Sequence, residues 1–350
     1  MADARTASAQ AEGRTRRELM RRLNFQSGWV FLVLLLLIAV FTVREGGKFF
    51  DPVNFRNIAL DASQLTLLAV GATFVIITAG IDLSVSSVLV FSAVVGAKVM
   101  VRLSGSPEEV RNYQFPNQDI GIPVGLAVAV LCGLGWGLVN GLIITKLRLP
   151  PFIVTLGTLG MALGAASIIS RGASVPYVPY DVQTKIGARR IFDFMPVLVV
   201  VTAVIVVIAI IALHFTRFGR YTFAIGSNAA AARRAGIDVD RHLLKVYAVS
   251  GLLAGIAGAM DIARFATASV STHSTDNLNA ISAVVIGGTS LFGGTGTVIG
   301  SVIGTFIPAV LRNGLVIGGI QPFWQQVVIG AILIVAVYVD QRRRAAEERM

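Results

Sequence analysis

The sequence contains few cysteines, which stabilise secreted proteins as disulfides, and few histidines, which bind metals or act in catalysis. Its one cysteine, Cys132, excludes a disulfide within the chain. The three histidines, His214, His242 and His273, lie far apart, without the spacing of a metal site or a serine-histidine-acid constellation. We therefore expect neither a catalytic residue nor a metal ligand. Charged residues make up only 14% of the 350 residues and hydrophobic ones 55%, too apolar for a soluble globule.

Motifs for nucleotide and ligand binding are scarce too. No segment matches Gly-x-x-x-x-Gly-Lys-Ser/Thr, the loop that holds nucleotide phosphates. The chain should therefore not hydrolyse ATP and should need no cofactor of its own. Its apolar runs contain few acids, amides or tryptophans that converge in the sequence. A permissive polar conduit fits this composition better than a tight binding site.

Long apolar runs dominate what is present. A span needs about twenty mainly apolar residues, and the sequence predicts an all-α, polytopic membrane helix bundle of about ten transmembrane helices. The candidate spans are 27–44, 58–79, 81–101, 122–145, 152–170, 196–214, 246–264, 280–293, 297–316 and 322–339. They form one transmembrane domain, 27–340, between a basic tail, 1–26, and a short tail, 341–350.

The net charge of +11 is distributed along the chain in the way typical of membrane proteins. With the N-terminus inside, the segments 1–26, 146–151, 215–245 and 340–350 hold eighteen basic residues, against nine in the outer segments. This bias follows the positive-inside rule. It accounts for the positive net charge, so we expect no nucleic-acid partner. Both termini are predicted to be cytoplasmic, and the first apolar run is predicted to be a retained helix because it lacks a cleavage pattern.

Glycines mark close packing in some helices and breaks in others. Pairs four residues apart, which allow helix backbones to approach closely, occur at Gly133, Gly137 and Gly141, at Gly160 and Gly164, and at Gly296, Gly300 and Gly304. Two regions, 78–86 and 287–296, instead predict broken helices, because glycines and hydroxyls interrupt an apolar run there. Such breaks are tolerated where the backbone is buried in protein or lines a watery cavity, so both are candidate pathway elements.

Four motifs in order along the chain carry a resemblance to a known family. They are Val-Gly-Ala-Thr-Phe-Val-Ile-Ile-Thr-Ala-Gly-Ile-Asp-Leu-Ser-Val from residue 70, Leu-Pro-Pro-Phe-Ile-Val-Thr-Leu-Gly-Thr from residue 149, Phe-Gly-Arg with Ala-Ile-Gly-Ser-Asn from residues 218 and 224, and Ala-Val-Val-Ile-Gly-Gly-Thr-Ser-Leu from residue 283. Together they resemble the permease subunits of ABC importers for ribose, xylose and related monosaccharides.

The resemblance implies a transport function that depends on partners. It implies an ATP-binding cassette ATPase subunit that binds ATP and Mg, an extracytoplasmic sugar-binding protein, and a second permease copy, giving a homodimer in the lipid of the bacterial cytoplasmic (inner) membrane. The basic segment 215–245 would then contain a coupling helix that contacts the ATPase. The candidate coupling residues are Gly226, Ser227, Asn228, Ala231, Ala232 and Gly236. A solvated positive-inside loop is the alternative interpretation of this segment.

Polar residues within the apolar runs are candidates for the translocation path. They are Asp82, Ser84, Asn140, Thr155, Thr158, Ser250 and Thr289. For Asp82, capping of a half-helix beside Ser84 is favoured over direct contact with a sugar. Asp261 and Arg264, three residues apart, are expected to form an interfacial ion pair.

The substrate is the least determined part of the prediction. Relatives commonly have acids where this chain has Asn277 and Asn279, and a glycine where it has Ser86. A permease for nucleosides or another small polar solute remains an alternative. An autonomous ion-coupled carrier or channel is another; it would need a buried acid that titrates, for which Asp82 is the candidate.

Overall fold

A computed structural model describes residues 28, 30–192 and 194–321, and, nearer the C-terminus, 324, 327, 330, 331, 334, 335 and 338. These residues are mostly helical. The helices are α1 (Val30–Lys48), α2 (Pro52–Ile77), α3 (Val85–Ser104), α4 (Pro107–Arg111), α5 (Gln118–Lys146), α6 (Pro151–Ser170), α7 (Val197–Phe215), α8 (Arg217–Arg234), α9 (Val239–Phe265), α10 (Asp276–Ile286) and α11 (Val298–Ile317). A π-helical turn, Gln183–Gly187, and a two-stranded hairpin, β1 (Arg190–Ile191) with antiparallel β2 (Met195–Pro196), precede α7.

The described residues include eight helices long and apolar enough to cross a membrane: α1, α2, α3, α5, α6, α7, α9 and α11. The predicted helical membrane bundle is therefore confirmed. The predicted span 280–293 corresponds to the 11-residue helix α10, which is too short to cross alone. The predicted span 322–339 lies mostly outside the described residues, and the residues described within it are helical. Both tails, 1–26 and 341–350, lie outside the described residues.

Local sequence determines where the helices begin. Asp51 accepts a hydrogen bond from the Val53 amide at 2.6 Å, with Pro52 at the first helical position of α2. Asp238 caps α9 through the Arg241 amide at 3.0 Å, and Thr297 caps α11 through the Gly300 amide at 2.9 Å. These side chains satisfy amides that a helix leaves without a partner at its start.

The core is formed by α2, α3 and α9. In the apolar segment of α2, 83% of the residues are buried, whereas in those of α1, α5, α6 and α7 only 17–28% are. The outward faces of these four helices are apolar, as lipid contact requires. The most extensive helix contact is between α5 and α9. A Cβ added to Gly133, Gly137 or Gly251 would overlap with the backbone of the facing helix. Small residues allow this approach.

The other predicted glycine contacts differ in outcome. Gly300 and Gly304 of α11 lie against the backbone of α10 at Gly287 and Ala283, so their predicted packing role is confirmed. A Cβ added to Gly160 or Gly164 of α6 would meet no atom of another described segment within 4 Å. Their predicted packing role within this chain is wrong, because that face of α6 points away from the described part of the bundle.

Candidate functional site

The two predicted helix breaks are present, and they meet. Helix α2 ends at Ile77 and α3 begins at Val85, while α10 ends at Ile286 and α11 begins at Val298. Ala79, with φ of 62°, reverses the chain after α2. The Gly294 amide donates a hydrogen bond to the Ile77 carbonyl at 2.9 Å, so backbone groups released by one break are satisfied by the other.

A buried polar network surrounds the first break. Asp82 is 3% exposed and accepts hydrogen bonds from the Ser84 amide at 3.0 Å, the Ser84 hydroxyl at 2.6 Å and the Ser250 hydroxyl at 2.9 Å. Asn140 donates to the Ser84 hydroxyl at 2.8 Å. Four of the predicted path residues are therefore brought together, from α5, α9 and the segment before α3. The residue at the N-cap of α3 is Ser84, and Asp82 fixes its amide.

The remaining predicted path residues lie around this network. Thr155 of α6 donates to the Ile81 carbonyl at 3.1 Å, whereas Thr158 donates to the Thr155 carbonyl of its own helix. Thr289 lies at the second break, 1% exposed, and its hydroxyl has no hydrogen-bond partner among the described residues. All seven predicted path residues are buried, so in this conformation they surround the breaks and line no open channel within the described chain.

Helix α8 consists of two parts that meet at Asn228, whose φ of −161° and ψ of 98° are not helical. The Asn228 side chain caps the second part by accepting from the Ala231 amide at 2.9 Å. This part ends at Arg234 and is followed by Gly236 with φ of +84°. The amides of Gly236 and Ile237 donate to the carbonyls of Arg233 and Ala232, a Schellman motif. The segment 215–245 therefore contains a short helix, as the resemblance implies.

The six candidate coupling residues divide into two groups. Ser227, Asn228 and Gly236 are exposed and Ala231 is half-buried, whereas Ala232 is buried against Ile225 and Val239. Gly226 packs against both helix breaks: a Cβ there would overlap with the Ile77 carbonyl oxygen and lie 2.7 Å from the Gly294 amide. The exposed residue Ser227 in the middle of α8 is thus next to the residue that contacts both breaks.

At the opposite end of α9, charged side chains form a second cluster. Arg264 forms an ion pair with Asp61 of α2. The prediction of an Asp261–Arg264 pair is therefore wrong. Asp261 instead accepts hydrogen bonds from His273 at 2.9 Å and Gln64 at 3.3 Å. His273 also contacts Asp276 at 2.7 Å. Although Asp261 and Arg264 are three residues apart on α9, they bond to different side chains. Arg264 bonds to α2, and Asp261 bonds to α2 and to the loop after α9.

Two acids therefore clamp His273. Burial opposes the charged imidazolium, but the hydrogen bonds and negative charges of Asp261 and Asp276 outweigh it and raise the pKa of His273 to about 10. At neutral pH the side chain is protonated. Sequence reasoning missed this cluster because its acids and histidine come from separate segments. Asp61 and Gln64, three residues apart in an apolar helix, are the signal that would have indicated it.

Comparison with known proteins places these features in a family. A family described as permease component of the branched-chain amino acid transport system matches residues 54–337, a range that contains both breaks, α8 and the charged cluster. The chain belongs to this family of transport permeases. With its eight candidate spans it is a multi-pass membrane protein, and as a permease component it is the non-catalytic part of a transport system.

Three curated relatives span nearly the whole chain. The fructose import permease protein of Rhizobium meliloti is 35% identical over 89% of this chain and 84% of its own length. The ribose import permease protein of Escherichia coli K12 is 33% identical over 92% and 98%. The galactose/methyl galactoside import permease protein of the same strain is 34% identical over 92% and 96%. No solved structure matches the chain.

Proposed function

We propose that this chain is the transmembrane subunit of an ATP-driven importer for an uncharged monosaccharide. Its full-length similarity to permeases named for fructose, ribose and galactose carries this proposal. The family description names branched-chain amino acids, but the three relatives agree on sugars while differing in which sugar. The substrate class is therefore a monosaccharide, delivered by an extracytoplasmic binding protein.

ATP hydrolysis is assigned to a partner. We assign ATP and Mg to an ATPase subunit that contacts the exposed part of α8, and we assign the face of the bundle around α8 to the cytoplasm, together with both termini. Two copies of the chain would form the path in the inner membrane. The position of Gly226 supports this assignment, since a displacement of α8 would reach the Ile77 carbonyl and the Gly294 amide directly. Both helix breaks would then move together.

Reconstitution with the partners tests the function. The chain, its ATPase and its binding protein are placed in lipid vesicles, and ATP hydrolysis is measured with ribose, fructose, galactose, a nucleoside or leucine. We expect stimulation by one of the sugars only. Sugar uptake by the chain without an ATPase would overturn the proposal in favour of a carrier, and stimulation by leucine or the nucleoside would overturn the substrate class.

The coupling role of α8 is tested by a bulky substitution. Ala230→Trp adds a large side chain to the exposed surface of α8 and should abolish sugar-stimulated ATP hydrolysis without changing thermal stability. Leu147→Trp places the same side chain at an exposed position of the α5–α6 connection and should retain at least half of the stimulation. Equal effects of the two variants would contradict a specific contact of α8 with the ATPase.

A further inference from the structure

A cavity of about 320 Å³ opens beside the charged cluster. It lies between α2, α9, α10 and α11 and the loop that joins α9 to α10. Since α9 has 27 residues, this end of the helix is about 40 Å from its start near α8. The cavity is within the size range of small-molecule sites, about 300 to 1,000 Å³. Thr272, Ser274 and Arg312 at its edge are exposed, so the cavity is accessible to solvent.

Charges of opposite sign balance around the cavity. Asp61 is paired with Arg264, and protonated His273 lies between Asp261 and Asp276. Arg312 adds a third positive charge close enough to stabilise the ionised form of Asp276 electrostatically. Three acids thus face three cations, so an anionic ligand would meet Asp61 and Asp276 and a cationic one Arg264 and Arg312. The balance favours an uncharged ligand.

Several of these side chains retain unused hydrogen-bonding groups. Arg312 forms no hydrogen bond within the described part of the chain, and Arg264 donates only from one terminal nitrogen. Gln64 donates to Asp261 from its amide nitrogen, and its side-chain oxygen accepts no hydrogen bond from the described residues. A hydroxyl group both donates and accepts, so a polyol can engage guanidinium donors and carboxylate or amide acceptors together. Phe265, Leu65, Pro308 and Ala309 complete the wall and offer apolar surface to the C–H groups of a sugar ring.

We propose that this cavity is a low-affinity monosaccharide site at which the sugar first contacts the permease, with Asp61, Arg264 and Arg312 as its hydrogen-bonding residues. This inference rests on the proposed function and adds the location of the site and its preference for neutral sugars. It also separates first contact from the buried network around Asp82, which lies at the helix breaks deeper in the bundle.

Site-directed labelling tests the site without transport. In a Cys132→Ser background, Thr272→Cys places a thiol in the cavity wall, and Ser271→Cys places one at an exposed neighbouring position outside it. Maleimide labelling rates are measured with ribose, fructose, galactose or galacturonate, all at one concentration well above the KM for uptake of the transported sugar. We expect the transported sugar to slow labelling at Thr272→Cys about fivefold or more, as near saturation requires, with no effect at Ser271→Cys and none from galacturonate.

A variant that removes the charge of Arg312 adds a kinetic test. Arg312→Gln should remove the protection and raise the KM of uptake about tenfold with kcat nearly unchanged, as expected for the loss of one hydrogen bond from a charged group. Arg102→Gln, an exposed arginine outside the cavity, should change neither. Uptake with no protection at Thr272→Cys, or equal protection at both thiols, would overturn the site and leave the permease function intact. Protection without uptake or ATPase stimulation would retain the site and overturn the transport function.

Discussion

Asp82 illustrates at the scale of one residue what a buried carboxylate does in this bundle. Its oxygens accept from one amide and two hydroxyls. Asp82→Asn keeps an acceptor in place and should destabilise the protein by about 1 kcal/mol, whereas Asp82→Leu leaves three donors without a partner and should cost about 3 kcal/mol or more. Thermal unfolding in detergent measures both. The exposed Asp119→Leu is the control, and equal tolerance of Asn and Leu at position 82 would contradict the role of the network.

His273 gives the protein a predictable dependence of stability on pH. Its pKa rises from 6.5 to about 10 on folding, so folding binds a proton at neutral pH. The stabilisation is complete below pH 6.5, decreases as the pH rises, and is lost above about pH 10. The groups facing His273 are Asp261 of α9 and Asp276 of α10, with Arg312 of α11 beside Asp276.

The interaction of His273 with Asp261 and Asp276 is tested by comparing the melting curves of the unchanged protein and of His273→Gln. His273→Gln should lower the midpoint of thermal unfolding by about 3 °C or more at pH 6, and the difference from the unchanged protein should shrink towards pH 10. Gln114→Glu, at an exposed position away from His273, is the control and should leave the melting curve unchanged at both pH values. A difference that stays constant between pH 6 and pH 10 would show that His273 is not protonated in the fold.

Helices α5 and α9 show at the scale of elements how glycine position determines packing. Gly133 faces the α9 backbone without room for a Cβ, whereas Gly135, two residues along the same helix, has no neighbour within 4 Å. Gly133→Ala should therefore destabilise the bundle by about 3 kcal/mol through overpacking, and Gly135→Ala should be neutral or stabilising by about 0.5 kcal/mol. Thermal unfolding of the pair measures the contrast, and similar values would contradict the close approach of the two helices.

The elements were more predictable from sequence than their contacts. Length and hydropathy located α2, α3, α5 and α9, and glycines beside hydroxyls located both breaks, because these signals are local. The partners of Asp261 and Arg264 were not predictable from their spacing, since residues on one helix face each meet a different neighbouring helix. The cavity combines Asp61, His273 and Arg312 from three distant segments, and only the folded chain brings them together.

The orientation of the whole molecule is a further prediction, argued from the distribution of basic residues. In a Cys132→Ser background, Ala230→Cys on α8 should react with a membrane-impermeant maleimide only in inside-out vesicles. Tyr113→Cys, an exposed position beyond α4, should react only in right-side-out vesicles. Detergent-solubilised protein, in which both thiols must react, is the control. Labelling in the reverse pattern would place α8 outside the cell and exclude its contact with a cytoplasmic ATPase.

The glycine contact between α5 and α9 has a consequence for motion during transport. Two helices whose backbones touch over several turns cannot slide or rotate past one another without separating, because interdigitated packing has discrete arrangements. They should therefore move as one rigid body, around which α8 and the two breaks rearrange. In hydrogen-exchange measurements on the complex with its ATPase, the amides along this contact should exchange last and be unaffected by ATP. The amides next to Ile77 and Gly294 should respond to the nucleotide.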